Sequence, residues 1–106
     1  MPFINLETLK QREQMPGFVG RFVHSENMTL VHWEIPSGTP LPEHSHPQEQ
    51  LIIFVDGKFE LTIDGETALL GPQSVAVIPS NAVHSGKALT KCRIIDVFSP
   101  VREDYR

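Results

Sequence analysis

The chain has 106 residues, with nine basic and thirteen acidic side chains and a formal net charge of −4. This length fits one domain, and the acidic balance argues against a nucleic-acid surface. The longest apolar run, 51–55, is far too short to span a membrane. The N-terminus shows no basic and apolar leader, and the one cysteine, Cys92, allows no internal disulfide. We therefore expect a protein of a reducing compartment, the cytoplasm.

Taken in order, residues 1–16 form a polar N-terminal lead-in whose periodicity is too weak to assign a structure. Residues 17–106 are expected to form one domain with a charged C-terminal tail. Turn signals such as Asp56-Gly57 and Asp64-Gly65 alternate with short apolar runs, which indicates about nine or ten strands and no clear helix. This pattern predicts an all-β fold, an antiparallel jelly-roll or barrel. The clearest predicted strands are 18–24, 28–35, 49–56, 75–78 and 92–99.

The strand 49–56 is apolar on both faces. Ile52 and Phe54 share a face with Gln50, and the opposite face carries three more apolar side chains, Leu51, Ile53 and Val55. One face can line the barrel interior, and the other needs a second sheet or a partner. Because large exposed apolar patches are uncommon on monomers, we expect a homodimer.

Two histidines, His44 and His46, are separated by one residue, so on an extended strand they point to the same side. Gln50 follows four residues later, and His84 lies in a second turn-rich stretch. Neutral imidazoles and an amide oxygen are ligands for divalent ions, and Ni, Zn, Mn, Fe and Co would all be accepted. The alternative is that a β-bulge makes Glu49, not Gln50, the ligand.

The same residues resemble the two motifs of the cupin superfamily. The first motif has a glycine on each side of the His-x-His pair, and Gln50 stands where Glu is usual. The second motif ends in a proline turn and a histidine, although non-glycine residues occupy its internal glycine positions. The resemblance implies a small single-domain cupin barrel, a jelly roll, that binds one divalent metal ion through His44, His46, Gln50 and His84. The matching positions are Gly38, His44, His46 and Gly57 in the first motif and Pro79 and His84 in the second, with Gln73 and Asn81 at the departures.

The last predicted strand carries one acidic residue, Asp96, on the face that it shares with Ile94 and Phe98. By composition alone, Asp96 could face solvent and Arg102 could be an ordinary surface residue. If Ile94 and Phe98 are core residues, however, Asp96 points into the barrel.

The run from Asp96 to Tyr105 also resembles the C-terminus of the pectin-degradation (KdgF-like) cupins. Members of that family convert 4,5-unsaturated uronates, released by lyases from pectin or alginate, into linear keto forms. The resemblance implies an isomerase-type enzyme that acts on a small anionic sugar acid, with Asp96, Phe98 and Arg102 as catalytic residues. Two other classes stay open: a cupin dioxygenase acting on a small organic substrate, and a non-catalytic cupin module that binds sugar or metal.

Overall fold

The computed structural model describes residues 2–106. Ten strands and two short 3₁₀ turns account for its regular structure. In the described residues, neither helical turn is long and apolar enough to cross a membrane. The strands are β1 (Arg12–Met15), β2 (Phe18–His24), β3 (Thr29–Ile35), β4 (Pro40–His44), β5 (Glu49–Asp56), β6 (Phe59–Ile63), β7 (Glu66–Leu70), β8 (Val75–Ile78), β9 (His84–Ala88) and β10 (Cys92–Ser99), and the 3₁₀ turns are Leu6–Thr8 and Glu103–Tyr105.

The strands form two antiparallel sheets that face each other across one core. The six-stranded sheet has the order β1-β2-β3-β10-β5-β8, and the four-stranded sheet has the order β4-β9-β6-β7. This arrangement is the predicted all-β jelly roll. Its core is a single cluster of aromatic and aliphatic side chains, among which Trp33, Phe54, Phe98, Ile35 and Leu61 are nearly fully buried.

Alternation along β5 determines which side chains reach that core. Gln50, Ile52 and Phe54 are 5%, 4% and 2% exposed, as the shared face predicts. On the other face, Leu51 and Val55 are each about two-fifths exposed in the single chain. The outer face of β5 is therefore apolar and uncovered.

Four of the five clearest predicted strands have the predicted bounds, and the strand expected at 28–35 begins one residue later, at Thr29. The polar N-terminal lead-in contains regular structure that its sequence does not indicate. Its residues 12–15 form β1, which pairs with β2 at the edge of the larger sheet. The Arg12 guanidinium donates to the carbonyl of Tyr105 and lies 4.0 Å from the centroid of the Phe22 ring, so it links the two ends of the chain.

The two glycines of the first motif have positive φ angles, 85° at Gly38 and 90° at Gly57. Their surroundings differ. A Cβ on Gly38 would meet no atom within 4 Å, whereas a Cβ on Gly57 would overlap the carbonyl oxygen of Lys91 and lie 2.9 Å from the sulfur of Cys92. Gly57 is therefore required both by its φ angle and by the close approach of a neighbouring chain segment.

We predict that Gly57→Ala lowers the free energy of unfolding clearly more than Gly38→Ala does. The left-handed conformation alone costs an L-residue about 1–2 kcal/mol, and forcing atoms into a packed region adds about 1–3 kcal/mol. Urea unfolding of both variants without added metal measures the difference. Equal losses in the two variants would contradict this account of the Gly57 turn.

Candidate metal centre and substrate cavity

Strand pairing brings the histidines together. His44 ends β4 and His84 begins β9, and the two residues are direct partners in the antiparallel register. His46 follows in the loop that leads to β5. One ring nitrogen from each of the three lies within 4.8 Å of the others. This cluster can hold a metal ion.

The turn before His84 is fastened to the first motif. The backbone N–H of Asn81 donates to the carbonyl of His46 at 2.8 Å, and the Ser80 hydroxyl donates to the carbonyl of Pro47 at 2.6 Å. Asn81 has a φ of 64°, which asparagine tolerates better than most residues. These bonds fix the position of the second motif before any ion binds.

Backbone carbonyls orient all three imidazoles. The Nδ1 atoms of His44, His46 and His84 lie 2.8, 3.0 and 2.9 Å from the carbonyl oxygens of Pro42, Gln48 and Ala82. A carbonyl can only accept, so each Nδ1 carries a proton, and Nε2 is the ring nitrogen left to bind a metal ion. A hydrogen bond from the second ring nitrogen to a carbonyl is typical of metal-binding histidines.

Burial favours the neutral, metal-binding form of two of these rings. Loss of hydration lowers the pKa of His84 to about 4. The pKa of His46 is also lowered, chiefly by burial and then by the nearby Arg102 guanidinium. Both rings are therefore neutral at physiological pH.

Gln50, not Glu49, faces the histidines. The Gln50 side chain is buried, and its Oε1 lies 3.1 Å from Nε2 of His46. Glu49 is exposed on the opposite face of β5, which has no bulge there. With Nδ1 of His46 protonated, two acceptors face each other, and a cation would satisfy both.

The donor set therefore fits a divalent ion. Nε2 of His84 is buried and has no hydrogen-bond partner within residues 2–106, as expected of an atom that binds a metal ion. Two ligands about 2.1 Å from one ion and at right angles are about 3 Å apart, close to the observed spacing of His46 and Gln50. Three imidazoles with one amide oxygen suit Ni, Zn, Mn, Fe or Co.

Asp96 points into the barrel from the middle of β10, as its shared face with Ile94 and Phe98 predicts. It is 9% exposed, and its Oδ2 accepts a hydrogen bond of 2.8 Å from the indole N–H of Trp33. Its Oδ1 has no partner in the described part of the chain. Burial raises the pKa of Asp96 to about 6, against the opposing effects of Trp33, the Gln50 amide and Arg102.

Arg102 is 8% exposed and is not a surface residue. Its guanidinium lies over the rings of Tyr105 and Phe98, with its central carbon 4.0 and 4.9 Å from their centroids. It also pairs with Asp104, and the two closest atoms are 2.7 Å apart. Its Nη1 atom is buried and, within the described chain, unpartnered.

These side chains meet at one cavity between the two sheets. Its lining is mostly apolar and includes all but one of the predicted site residues. The exception, His46, lies beside that lining, through its contact with Gln50 and an edge-to-face contact with the Phe98 ring, whose centroid is 5.5 Å away. The predicted residues that line the cavity are His44, Gln50, His84, Asp96, Phe98 and Arg102.

Sequence reasoning missed Trp33 and Tyr105, which also line the cavity. Trp33 holds the Asp96 carboxylate, and Tyr105 packs edge-on against Phe98. A signal existed for Trp33, because the N–H of a buried tryptophan needs an acceptor. Asp96, an acidic residue that the sequence predicts to point into the barrel, is a candidate for that acceptor. No comparable signal marks Tyr105 within the charged tail.

Comparison with known proteins agrees with this geometry. The family model for the cupin domain matches residues 31–98. The chain is similar to the structure of KdgF from Halomonas sp., with 30% identity over 98% of this chain and 96% of that chain and a TM-score of 0.89. A cupin described as RmlC-like from Shewanella frigidimarina is 23% identical over 100% of this chain and 96% of its own, with a TM-score of 0.94.

A curated protein of Streptomyces coelicolor, described as uncharacterized, is 25% identical over 85% of this chain and 87% of its own length. The matched region of the family model runs from β3 to β10. It therefore includes the three clustered histidines, Gln50 and Asp96. The chain belongs to the cupin domain family.

Proposed function

We propose that the protein is a metal-dependent enzyme that converts 4,5-unsaturated uronates, products of pectin or alginate breakdown, into their linear keto forms. One observation carries the proposal. Three buried polar atoms, Nε2 of His84, Oδ1 of Asp96 and Nη1 of Arg102, lack partners in residues 2–106, and their side chains line the same cavity. Buried polar groups are rarely left unpaired, so a ligand that offers both an anion and a hydroxyl group would complete the site.

The likeness to KdgF supports this choice of substrate. It covers nearly the whole of both chains, and the sequence resemblance extends through the C-terminal run from Asp96 to Tyr105. The cavity is partly apolar and has one guanidinium among its lining residues, which suits a ligand that carries a single carboxylate.

We propose that His44, His46, Gln50 and His84 hold one divalent ion. When bound, that ion supplies a Lewis acid that stabilises negative charge on oxygen. Because Gln50 is neutral where a carboxylate is usual, the ligand set does not reduce the charge of the ion.

Asp96 is suited to the proton transfer that opens the sugar ring. Its free Oδ1 accepts the proton of the C1 hydroxyl while the bond between C1 and the ring oxygen breaks. This leaves an aldehyde at C1, an enolate across C4 and C5, and the proton on Asp96. Return of that proton to C4, directly or through water, gives the ketone at C5 and restores the carboxylate. Substrate and product are isomers, so no other reactant is needed. The Trp33 indole holds Oδ2 and leaves Oδ1 free for this role.

Arg102 and Phe98 are proposed to bind and orient the substrate. A guanidinium pairs with a carboxylate through parallel hydrogen bonds, which fix orientation as well as position. Phe98 is 1% exposed and lies between the His46 ring and Arg102. Its ring is an apolar spacer that keeps the proposed metal ligands and the guanidinium at a fixed separation.

We predict that Asp96→Asn lowers turnover of unsaturated monouronates by about a hundredfold or more. The amide can still accept from Trp33 but cannot take a proton, and general base catalysis typically contributes 10²–10⁴-fold. The measurement is the loss of the ultraviolet absorbance of the C4–C5 double bond.

Asp56→Asn is the matched control, since Asp56 is an exposed carboxylate at the end of β5, and it should keep the parent rate. If Asp96→Asn converts substrate at the parent rate, Asp96 is not the general base of the reaction. If the unaltered protein converts no unsaturated uronate faster than buffer does, the proposed function is wrong.

We predict that His46→Ala loses most of the bound metal and stays folded, because His46 lies in the loop between β4 and β5 and supplies one of the four proposed ligands. Metal content of protein purified without an affinity tag checks this, with circular dichroism as the folding control. Glu49→Gln should keep full metal content, since Glu49 faces away from the cluster. Metal loss in Glu49→Gln with retention in His46→Ala would reverse the ligand assignment.

We also propose a homodimer built on the outer face of the six-stranded sheet. Leu51 and Ile53 pair in register with Val77 and Val75 of the edge strand β8, and all four side chains point outward. Ile95 and Val97 of β10 extend the same rows on the other side of β5. A continuous apolar surface of this kind on a soluble protein is typical of an interface. A second copy with the same surface satisfies it symmetrically.

We predict that Ile53→Lys, which places a charge at the centre of this face, converts the dimer to a monomer in light scattering at micromolar concentration. Leu69→Lys is the control, because Leu69 is a 62% exposed apolar residue on the other sheet. It should leave the mass unchanged. A monomeric parent protein would contradict the dimer.

The proposed location is the reducing cytoplasm. Cys92 is the one cysteine of the chain, and its thiol is buried. Burial raises the pKa of that thiol, which disfavours the reactive thiolate. Cys92 is therefore a core residue and needs no oxidising environment.

A further inference from the structure

We infer that Asp104 is a positioning residue that holds the Arg102 guanidinium ready for a substrate carboxylate, so that the cavity selects singly charged sugar acids over neutral sugars. This inference rests on the proposed function and deepens it. Neither the sequence motifs nor the likeness to other cupins assigns a role to Asp104.

The two side chains form a fork. Nε of Arg102 donates to Oδ1 of Asp104 at 3.2 Å, and Nη2 donates to Oδ2 at 2.7 Å. Two parallel bonds along one edge fix the plane of a guanidinium, which a single bond would not do. The side chain of Arg102 is 10% exposed and that of Asp104 is 59% exposed. Asp104 therefore holds the guanidinium from the solvent side and leaves the inner side free.

Aromatic rings and the backbone limit the remaining freedom of Arg102. The guanidinium stacks near Tyr105 and Phe98. The backbone N–H of Arg102 donates to the buried Thr29 hydroxyl at 2.9 Å. With its plane, its stacking and its backbone fixed, the guanidinium needs little further ordering when a ligand binds, and this favours affinity.

One NH₂ group of the guanidinium is unpaired within the described residues. Nη1 of Arg102 is buried without a partner in the part of the chain that the structure describes. Arg102 is also the one lysine or arginine among the residues that line the main cavity within 2–106. A buried guanidinium that is only half satisfied is costly, and a carboxylate entering the cavity would complete its hydrogen bonds.

Asp104 is suited to remain an anion while it holds the Arg102 guanidinium. The hydrogen bonds and charge of Arg102 hold the pKa of Asp104 below its ordinary value. The fork therefore persists through the neutral pH range. Asp104 also offsets part of the positive charge of Arg102, which weakens the attraction for a substrate carboxylate. Any gain in substrate affinity from Asp104 must therefore come from its orientation of the guanidinium.

The chain offers a matched control one residue away. Glu103 also pairs with an arginine, Arg106, at 2.8 Å. That pair is exposed on both sides, at 71% and 50%, and neither residue lines the main cavity. Asp104→Asn and Glu103→Gln each remove one negative charge from the same turn, but only the first affects Arg102.

The experiment uses the metal-loaded full chain. We expect Asp104→Asn to raise KM for an unsaturated monouronate about tenfold while kcat changes less than about threefold, since the lost interaction binds substrate and transition state alike. Calorimetry with glucuronate, a saturated uronate that cannot react, should show a Kd about tenfold weaker in Asp104→Asn. Binding of glucose, which has no carboxylate, should be the same in both proteins. Glu103→Gln should match the parent protein in every measurement.

The possible results distinguish failure of the inference about Asp104 from failure of the proposed function. If Asp104→Asn binds glucuronate as tightly as the parent protein or more tightly, the inference is overturned, while turnover by the parent protein still supports the proposed function. The inference is also overturned if glucose binding weakens as much as glucuronate binding, because the effect would then be structural. If the parent protein neither binds nor converts any uronate, the proposed function and this inference are both wrong.

Discussion

The hydrogen bonding of β10 on both edges is the constraint on which the site depends. This strand pairs with β3 along one side and with β5 along the other, so its position and twist are fixed by its neighbours. Alternation then decides that Ile94, Asp96 and Phe98 point inward. A carboxylate in the middle of such a strand cannot turn toward water without breaking the strand pairs. The strand therefore holds Asp96 in the barrel despite the cost of burying it.

The stability of the apolar core allows the site to contain buried polar atoms that lack hydrogen-bond partners within the described residues. Phe54, Phe98 and Trp33 are nearly inaccessible to water, and burying large side chains of this kind stabilises a fold by about 1.5–3 kcal/mol each. A few unpaired polar groups cost about 1–3 kcal/mol each. The core can therefore hold polar atoms without partners in a largely buried cavity, where electrostatic interactions with a ligand are stronger than in bulk water.

Much of this could be predicted from the sequence, because it depends on local rules. A period of two residues fixes the faces of β5 and β10, and the spacing of His44 and His46 places both at one site. What the sequence did not predict depends on contacts between distant segments. The hydrogen bond from Trp33 to Asp96 requires the pairing of β3 with β10. The use of residues 12–15 as strand β1 requires an open edge on β2, and their polar composition gives no sign of it.

Charge within the site accounts for the kind of ligand that it suits. Arg102 and Asp104 together contribute no net charge, Gln50 is uncharged, and an imidazole must be neutral to bind a metal ion. A divalent ion would add two positive charges, and an ionised Asp96 would remove one. The cavity would then be left with one positive charge, which a monocarboxylate would neutralise. A glutamate in place of Gln50 would leave no net charge for that anion to balance. The neutral amide at position 50 and the anionic character of the proposed substrate are thus two consequences of the same electrostatic requirement.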